Sequence, residues 1–259
     1  MANERAVAEA IWQAWRDDTR LSALPQAVRP GSLAEGYAAQ RALAALAGSR
    51  CYGWKIAATS AEGQRHIGVD APLAGRLFES FRLADGAGIS VTGLTMRCAE
   101  PEFAFRLGHA LPPRATSHGE AEVMAAVAGL YLAIEVPDSR FADFAAAGGA
   151  QLAADNACAR YFVLGPEMAD WSGRDLAAVA VTVEVNGRPV SQGSGANVLG
   201  DPRRALTWLA NHLAGTEGGL KAGDIVTTGA AAKPVTIAAG DRVTAHFAGL
   251  GKVSVHFTP

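Results

Sequence analysis

Glu100 and Glu102 stand two residues apart in a segment that alternates like a β-strand. Successive side chains of a strand point to opposite faces, so both carboxylates leave one face with Cα atoms about 6.6 Å apart. Two carboxylates so placed can share one cation. Taken alone, the pair favours an acidic strand face exposed to water, because charged side chains are mostly exposed. Pro101 between them indicates a sheet edge or a bulge.

A third carboxylate, Glu135, ends the apolar run of residues 129–134, which is typical of a buried strand. A lone carboxylate there needs a partner, because burial of an unpaired charge is costly. One alternative is a salt bridge, for example to Arg140. The other is a cation shared with Glu100 and Glu102. Three carboxylates without a neighbouring cluster of His or Cys favour Mg²⁺ or Mn²⁺, with open positions for water and substrate.

Lys55 is flanked by apolar residues in Gly53-Trp54-Lys55-Ile56-Ala57. A lysine in this setting either snorkels from a strand edge or is held in a pocket, where it can bind a carboxylate or transfer a proton. In isolation, the pattern favours snorkelling. Proton transfer becomes more effective if burial lowers the pKa of the lysine.

Other motifs that carry chemistry are missing from the sequence. Residues 191–195 read Ser-Gln-Gly-Ser-Gly, without the spacing of a phosphate-binding loop or of the GxSxG nucleophile motif. None of the histidines has a sequence neighbour that marks it as a catalytic base. We expect all of them on surfaces or at strand ends, namely His66, His109, His118, His212, His246 and His256.

Two helices are predicted ahead of the segments that carry these residues. Apolar side chains recur at helical spacing over residues 3–17, and a second helix begins after Ser32, which forms a capping box with Glu35, and ends at Gly48. From Gly53 onward, short strand-like runs are separated by Gly, Pro and Asp. The strands do not alternate strictly with helices, which disfavours a doubly wound sheet or a βα barrel and favours an α+β fold.

Local signals are clear in the C-terminal third of the chain. Asn186-Gly187 follows the alternating residues 181–185 and predicts a type I′ hairpin turn, which needs two positive φ angles. Asp201 and Pro202 predict a helix start, and the helix should run to about Leu213. Further strands are expected over residues 224–228, 241–247 and 252–257.

The composition excludes several classes of protein. Of 259 residues, 49% are hydrophobic and 19% are charged, with a net charge of −2, which excludes intrinsic disorder and gives no sign of a nucleic-acid or membrane surface. The longest apolar stretch, residues 123–134, is shorter than the roughly 20 residues of a membrane-spanning helix, and the N-terminus lacks a secretory pattern. The cysteines show no CxxC spacing, so we expect reduced thiols in a cytoplasmic protein.

Eight short segments form a series along the chain: residues 53–56, 67–70, 99–102, 133–140, 154–157, 193–195, 222–229 and 240–243. In this order they resemble the 2-oxopent-4-enoate hydratase and 4-oxalocrotonate decarboxylase family, within the fumarylacetoacetate hydrolase superfamily. The resemblance covers nearly the whole chain. It implies a strand-rich roll of mixed sheets with N-terminal helices outside it: a helical segment, residues 1–50, and a catalytic domain, residues 51–259.

The resemblance also implies a site. Glu100, Glu102 and Glu135 match the metal ligands of the family, and Lys55 matches an active-site lysine. Asp70 matches a separate family position, to which we assign a catalytic role. The residues expected to border the substrate are Leu73, Asp155, Asn156, Thr228 and Gly229. Leu73 stands near the place where hydratases of the family carry an aspartate that is proposed to assist proton transfer.

Several functions follow from the resemblance. The leading hypothesis is a Mg²⁺-dependent hydratase of a 2-hydroxy-2,4-dienoate from aromatic or steroid ring degradation. The second hypothesis is a decarboxylase of an oxalocrotonate-like diacid. Such an enzyme should have an additional cationic group for the second carboxylate of the substrate, and the candidates are Arg65, Arg76 and Arg160. A non-catalytic partner subunit is the third, and a carbon–carbon bond hydrolase is disfavoured by the lack of a His-x-x-Glu pair. We also expect a homo-oligomer that can associate with a partner enzyme of its pathway.

Overall fold

The alternating apolar segments form thirteen strands, and the amphipathic segments form seven α-helices, within residues 3–259, which the computed structural model describes. The helices are α1 (Glu4–Arg16), α2 (Leu33–Ala47), α3 (Ala61–Ile67), α4 (Glu120–Ala125), α5 (Phe144–Ala147), α6 (Gly149–Ala154) and α7 (Pro202–Thr216). The strands are β1 (Cys51–Ala57), β2 (Leu73–Phe78), β3 (Arg82–Ala84), β4 (Gly88–Ser90), β5 (Cys98–Leu107), β6 (Val127–Val136), β7 (Tyr161–Glu167), β8 (Ala180–Val185), β9 (Arg188–Ser194), β10 (Ile225–Ala230), β11 (Val235–Thr236), β12 (Arg242–Phe247) and β13 (Gly251–Thr258).

The strands form two mixed sheets. The larger has the order β2-β1-β10-β5-β6-β7-β3, with the short β11 also paired to β5, and the smaller has the order β4-β13-β12-β8-β9. Parallel pairs occur in both sheets, β1 with β10 and β13 with β4 among them, although most neighbours are antiparallel. The predicted α+β fold with mixed sheets is confirmed.

The main hydrophobic core lies between the two sheets. One face of β5 contributes Phe103 and Phe105, which are fully buried. Phe103 meets Phe247 of β12 edge to face, with ring centroids 5.0 Å apart. Because side chains alternate along a strand, packing of this face against the smaller sheet turns Glu100 and Glu102 to the other face of the larger sheet.

The N-terminal helices form a second, smaller core. Val7, Ile11 and Trp15 of α1 pack with Leu43 of α2 and with Phe141. Asn3 caps α1 by accepting a hydrogen bond from the Ala6 N–H, and Ser32 caps α2 through the Glu35 N–H. Both predicted helices are confirmed. The proposed division between residues 1–50 and 51–259 falls between α2 and β1, and it stays a prediction. No helix within residues 3–259 combines the length and apolar character that a membrane span needs.

The C-terminal predictions are also confirmed. Strands β8 and β9 form the expected hairpin, with positive φ angles of 53° at Asn186 and 76° at Gly187. Asp201 caps α7 by accepting a hydrogen bond from the Arg203 N–H at 2.8 Å. The helix ends at Thr216, a few residues beyond the predicted end at Leu213.

One local expectation was correct only in part, and another was wrong. Pro101 does not lie at a sheet edge, because β5 is an interior strand between β6 and β10. The alternative, a bulge, occurs beside it in the β5–β10 pair, where the register shifts between Thr227 and Ala230 of β10. His118 is not on the surface but is 4% exposed. Its Nε2 lies 3.0 Å from the carbonyl oxygen of Pro112, which accounts for a buried polar ring.

Candidate active site

The three glutamates meet because of the strand register. Glu100 of β5 is directly opposite Glu135 of the antiparallel β6. Glu102 lies two residues further along the same face of β5. One carboxylate oxygen from each of the three lies within 4.8 Å of the others. The structure thus brings together the three predicted metal ligands from two neighbouring strands.

These carboxylates do not form a solvated acidic face. Glu102 is 0% exposed and Glu135 is 1% exposed. Glu102 Oε2 accepts a hydrogen bond from the Gly229 N–H at 2.8 Å. Glu102 Oε1 and both oxygens of Glu135 are buried without a well-formed hydrogen bond, although Glu135 Oε1 lies 3.1 Å from the Lys55 ammonium. Buried oxygens normally find a partner, and a divalent cation with oxygen ligands would supply one for all three. The residues present therefore fit a divalent metal ion.

Burial and mutual repulsion change the protonation of the cluster. Burial is the largest cause, and with the charge of Glu135 it raises the pKa of Glu100 to about 7. The pKa of Glu102 is raised well above its ordinary value by burial and by both neighbouring glutamates. Burial also raises the pKa of Glu135, although Lys55 opposes this change. A bound cation would favour the ionised forms, so metal ions and protons compete for this site.

Lys55 belongs to the same cluster. The side chain is buried, and Nζ lies 3.1 Å from Glu135 Oε1 as an ion pair. Nζ donates a hydrogen bond to the carbonyl oxygen of Ala157 at 3.0 Å. The pocket alternative is therefore correct and snorkelling is wrong. The salt-bridge partner of Glu135 is Lys55, whereas Arg140 pairs with Asp138.

The condition for more effective proton transfer, a lowered pKa of Lys55, is not met. Burial favours the neutral amine and lowers the pKa of Lys55, but the charges of Glu135, Glu100 and Glu102 together raise it above its ordinary value. The ammonium form is thus stabilised beside the carboxylates. Lys55 is placed to supply positive charge and a donated proton.

A cavity of about 730 Å³ opens onto the cluster and is lined by Lys55 and Glu100. Part of its wall is apolar and comes from a small cluster in which Leu73 and Leu152 pack with side chains of β1, α3, α5 and the segment before β5. The apolar lining residues from this cluster are Ala57, Ile67, Leu73, Met96, Phe144, Leu152 and Ala157. The rim carries Glu62 and Lys233, an exposed ion pair at 3.6 Å.

Thr228 and Gly229 lie behind Glu102. Thr228 is fully buried, and its hydroxyl donates to the carbonyl oxygen of Phe103 at 3.0 Å. Gly229 has a φ of 98°, and a Cβ atom there would collide with Thr59. Only glycine therefore allows the backbone N–H to approach Glu102 at this irregular place in β10. Neither residue lines the cavity, and their predicted contact with substrate stays a prediction.

The structure separates the remaining predicted residues from the cavity. Asp155 is buried and accepts hydrogen bonds from the Ser139 hydroxyl at 2.6 Å and from the Arg140 N–H at 2.8 Å. Asn156 is buried and bonds to the backbone of Arg76. Asp70 is exposed in the turn after α3 and is not among the lining residues. Their proposed roles at the substrate stay predictions.

Some residues of the site have little or no sequence signal. Cys98 lines the cavity and could have been found, since it lies two residues before Glu100 on the same strand face. Phe144, Leu152 and Lys233 come from distant segments and have no such signal. The Ala157 contact is made by a backbone carbonyl, which no residue type reveals.

Buried carboxylates and a lysine beside a cavity, on a mixed sheet, fit a metal-binding enzyme site of the fumarylacetoacetate hydrolase type. The model of the family described as fumarylacetoacetate (FAA) hydrolase C-terminal matches residues 76–258. The chain belongs to this family, as the sequence resemblance implied.

Relatives and solved structures agree with this assignment. The chain is 38% identical to a 2-keto-4-pentenoate hydratase of Burkholderia vietnamiensis, over 82% of this chain and 79% of the relative. It is 37% identical to a 2-hydroxyhexa-2,4-dienoate hydratase of Comamonas testosteroni, over 82% and 80%. A 4-oxalocrotonate decarboxylase from Pseudomonas putida G7, complexed with magnesium and adipate, superposes with a TM-score of 0.90 at 30% identity, covering 98% of this chain and 97% of that structure.

Proposed function

We propose that this protein is a Mg²⁺-dependent hydratase that converts a 2-hydroxy-2,4-dienoate, of the 2-oxopent-4-enoate type, to a 4-hydroxy-2-oxo acid during aromatic or steroid ring catabolism. The observation that carries the proposal is the cluster of Glu100, Glu102, Glu135 and Lys55 at a cavity large enough for a small organic acid. The named hydratases among its relatives support the same reaction. Mn²⁺ is the alternative metal, since it accepts the same oxygen ligands.

Each residue of the cluster has a distinct task. Glu100, Glu102 and Glu135 would each offer one carboxylate oxygen to the cation, since one oxygen from each lies within 4.8 Å of the others. When bound, Mg²⁺ would stabilise negative charge on the 2-oxygen of the substrate. The ammonium group of Lys55 has three N–H donors, of which one is bonded to Ala157 and one faces Glu135. The third can reach a substrate in the cavity, as a charge contact or as the donor of a proton.

The placement of the arginines favours hydration over decarboxylation. A diacid needs a cationic group for its second carboxylate, and no arginine is among the residues that line the cavity within the described part of the chain. Arg76 pairs with Glu217 and lies over the Trp54 ring. Arg160 lies over the rings of Phe81 and Tyr161, and Arg65 is exposed on α3.

The apolar wall indicates which dienoates fit. Leu73 is almost fully buried and packs with Leu152 along the cavity. An apolar wall stabilises a hydrocarbon substituent, because each buried methylene contributes about 0.8 kcal/mol. The proposed substrate therefore carries an alkyl or aryl extension beyond the five-carbon acid.

A decarboxylase of an oxalocrotonate-like diacid is the second candidate. Lys233 at the rim is the observation that favours it, because an exposed ammonium group could meet a distal carboxylate. A non-catalytic subunit is disfavoured, because it would not need the costly burial of the Glu102 and Glu135 carboxylates beside a third, Glu100. We further propose a cytoplasmic homo-oligomer that can associate with a partner enzyme of its pathway.

Product analysis separates these functions. Purified protein with Mg²⁺ is incubated with 2-hydroxypenta-2,4-dienoate, its alkyl-extended relatives and 4-oxalocrotonate, and the products are identified by mass. Gain of water supports the hydratase, and loss of CO₂ supports the decarboxylase. Tight Mg²⁺ binding by calorimetry without any turnover would favour the non-catalytic subunit.

A further inference from the structure

The turn between α6 and β7 has an unusual backbone. Three successive residues other than glycine are left-handed, with φ angles of 56° at Asn156, 52° at Ala157 and 60° at Cys158. Such residues rarely adopt these angles, because their Cβ atom crowds a neighbouring carbonyl. A run of three persists only where the surrounding structure holds it, and strain of this kind concentrates at functional sites.

Asn156 holds the turn to the larger sheet. Its Oδ1 accepts a hydrogen bond from the Arg76 N–H at 2.6 Å, and its Nδ2 donates to the Arg76 carbonyl oxygen at 2.9 Å. Because β2 is an edge strand, this amide occupies the place of a neighbouring strand. After the turn, the Cys158 carbonyl accepts a hydrogen bond from the Asp138 N–H at 2.9 Å. The turn is therefore fixed on both sides.

The fixed turn presents one backbone group to the cavity. The Ala157 carbonyl accepts the hydrogen bond from Lys55 Nζ at 3.0 Å. Gly75 is opposite Lys55 in the β1–β2 register, and a Cβ atom there would collide with the Asn156 carbonyl and press on the Lys55 side chain. The glycine lets the turn and the lysine approach β2 together.

We propose that Asn156 is a positioning residue for Lys55: it holds the left-handed turn in place, and the Ala157 carbonyl in turn fixes the lysine ammonium beside Glu135. Asn156 is fully buried and does not line the cavity, so it acts without touching substrate. The proposal rests on the proposed function only in that Lys55 serves the reaction. It replaces the expectation that Asn156 binds substrate directly.

The test compares two asparagines in the full-length enzyme. Asn156→Gly keeps the left-handed backbone and removes both bonds to Arg76. Asn186→Gly is the matched control, since Asn186 is also left-handed and bonds to Asp241 and to the Arg242 N–H at 2.8 Å, in the β8–β9 hairpin. We expect Asn156→Gly to lower kcat by on the order of 10-fold to 10²-fold, since small displacements of a reacting group have effects of this size. KM and Mg²⁺ affinity should stay near wild type, and Asn186→Gly should leave kcat unchanged.

A double-mutant cycle and a spectroscopic measurement locate the effect at Lys55. In a Lys55→Met background, Asn156→Gly should lower kcat no further, whereas additive losses would overturn the proposal. In metal-free protein labelled with [15N]lysine, the Lys55 ammonium should give an NMR signal that is protected from exchange, because the side chain is buried. The signal should be distinguishable, since Lys221, Lys233 and Lys252 are exposed. Asn156→Gly should shift or broaden this signal and Asn186→Gly should not.

The outcomes distinguish failure of the proposed function from failure of the positioning role of Asn156. If the wild type hydrates none of the dienoates, or if Lys55→Met keeps its kcat, the proposed function or the role of Lys55 fails. If the wild type is active and Lys55→Met is impaired, yet Asn156→Gly lowers only the melting temperature with an unchanged lysine signal, the positioning role alone is overturned.

Discussion

Two groups of buried carboxylates differ in how their oxygens are satisfied. In the first, Asp138 accepts hydrogen bonds from the Thr95 and Met96 N–H groups at 2.8 and 3.0 Å and pairs with Arg20 and Arg140. In the second, one oxygen of Glu102 and both oxygens of Glu135 lack a well-formed hydrogen bond, and Lys55 is the ion-pair partner of Glu135. Both groups are buried on the same fold, so burial alone does not separate their tasks.

The difference separates a carboxylate with a structural role from carboxylates that are available to bind a ligand. The Asp138 network ties the segment after α1 to the loop after β6, since Arg20 reaches Asp138 at 2.6 Å. Its charges are paired by protein groups, which is what a structural role needs. The glutamate cluster has more negative charge than Lys55 can compensate. The proposed divalent cation would complete it, and metal binding should therefore be sensitive to changes in one group and not in the other.

The largest effect is expected for Glu102→Gln. Removal of one of three carboxylate ligands should weaken Mg²⁺ binding and lower turnover on the order of 10³-fold, comparable to the loss of a principal electrostatic contact. The metal-free variant should remain folded, because the substitution removes an uncompensated buried charge. Calorimetric Mg²⁺ titration and thermal unfolding check both points. Full activity of this variant in the presence of EDTA would contradict the metal assignment.

Asp138→Asn should show the opposite profile. Loss of the charge leaves the buried Arg140 without its ion-pair partner and removes one of the two ion pairs of Arg20. Breaking a buried pair costs about 3 kcal/mol. Denaturant unfolding should report this loss, while Mg²⁺ affinity stays near that of the wild type. A large loss of Mg²⁺ affinity with unchanged stability would show that the two groups are not separate.

Lys55→Met tests the cationic member of the cluster. It keeps much of the apolar stem and should lower kcat by on the order of 10²-fold, as expected for a lost charge or proton-transfer contact. Steady-state kinetics with Mg²⁺ in excess measure the effect. A lower melting temperature with near-normal kcat would instead assign Lys55 to stability.

The pKa of Glu100 predicts a pH dependence. Burial raises the pKa of Glu100 in the folded, metal-free protein to about 7. The protonated carboxyl therefore contributes to the free energy of unfolding at low pH, and this contribution is lost as the pH rises through 7. Mg²⁺ needs the ionised form, so deprotonation of Glu100 alone should raise its apparent affinity about tenfold per pH unit up to about pH 7. The raised pKa of Glu102 should add to this increase. The increase in Tm on adding Mg²⁺ should accordingly be larger at pH 8 than at pH 6. Metal-free Glu100→Gln, the control, should not show the loss of stability that is due to Glu100.

The smallest effect concerns Leu73. The wild type should prefer alkyl-extended dienoates over the five-carbon acid by about fourfold in kcat/KM per buried methylene. Leu73→Ala should reduce this preference. Leu73→Asp should leave the hydration rate similar or lower it, because it adds a carboxylate to a site arranged without one. A higher rate on the five-carbon acid would indicate that Leu73 marks a weakened relative of the hydratases.

Several predictions from the sequence failed for a common reason. The sequence around Lys55 favoured snorkelling, Arg140 was a candidate partner for Glu135, and a sheet edge was one of the two alternatives that Pro101 indicated. Each inference depended on neighbours along the chain. The structure shows a buried lysine, an ion pair between Lys55 and Glu135, and an interior strand β5. All three depend on the order of the strands in the sheet.

The amino-acid sequence by itself determined the local elements and the chemistry of the metal ligands. Caps, apolar periodicity and the Asn186-Gly187 turn act over a few residues, and the i, i+2 spacing of Glu100 and Glu102 puts both on one strand face. Only the tertiary structure decided that Glu135 lies opposite Glu100, that Lys55 joins them, and that Asn156 is held against β2. These contacts join segments that are distant in the chain, and their strength comes from burial, which excludes water and makes every unpaired charge costly.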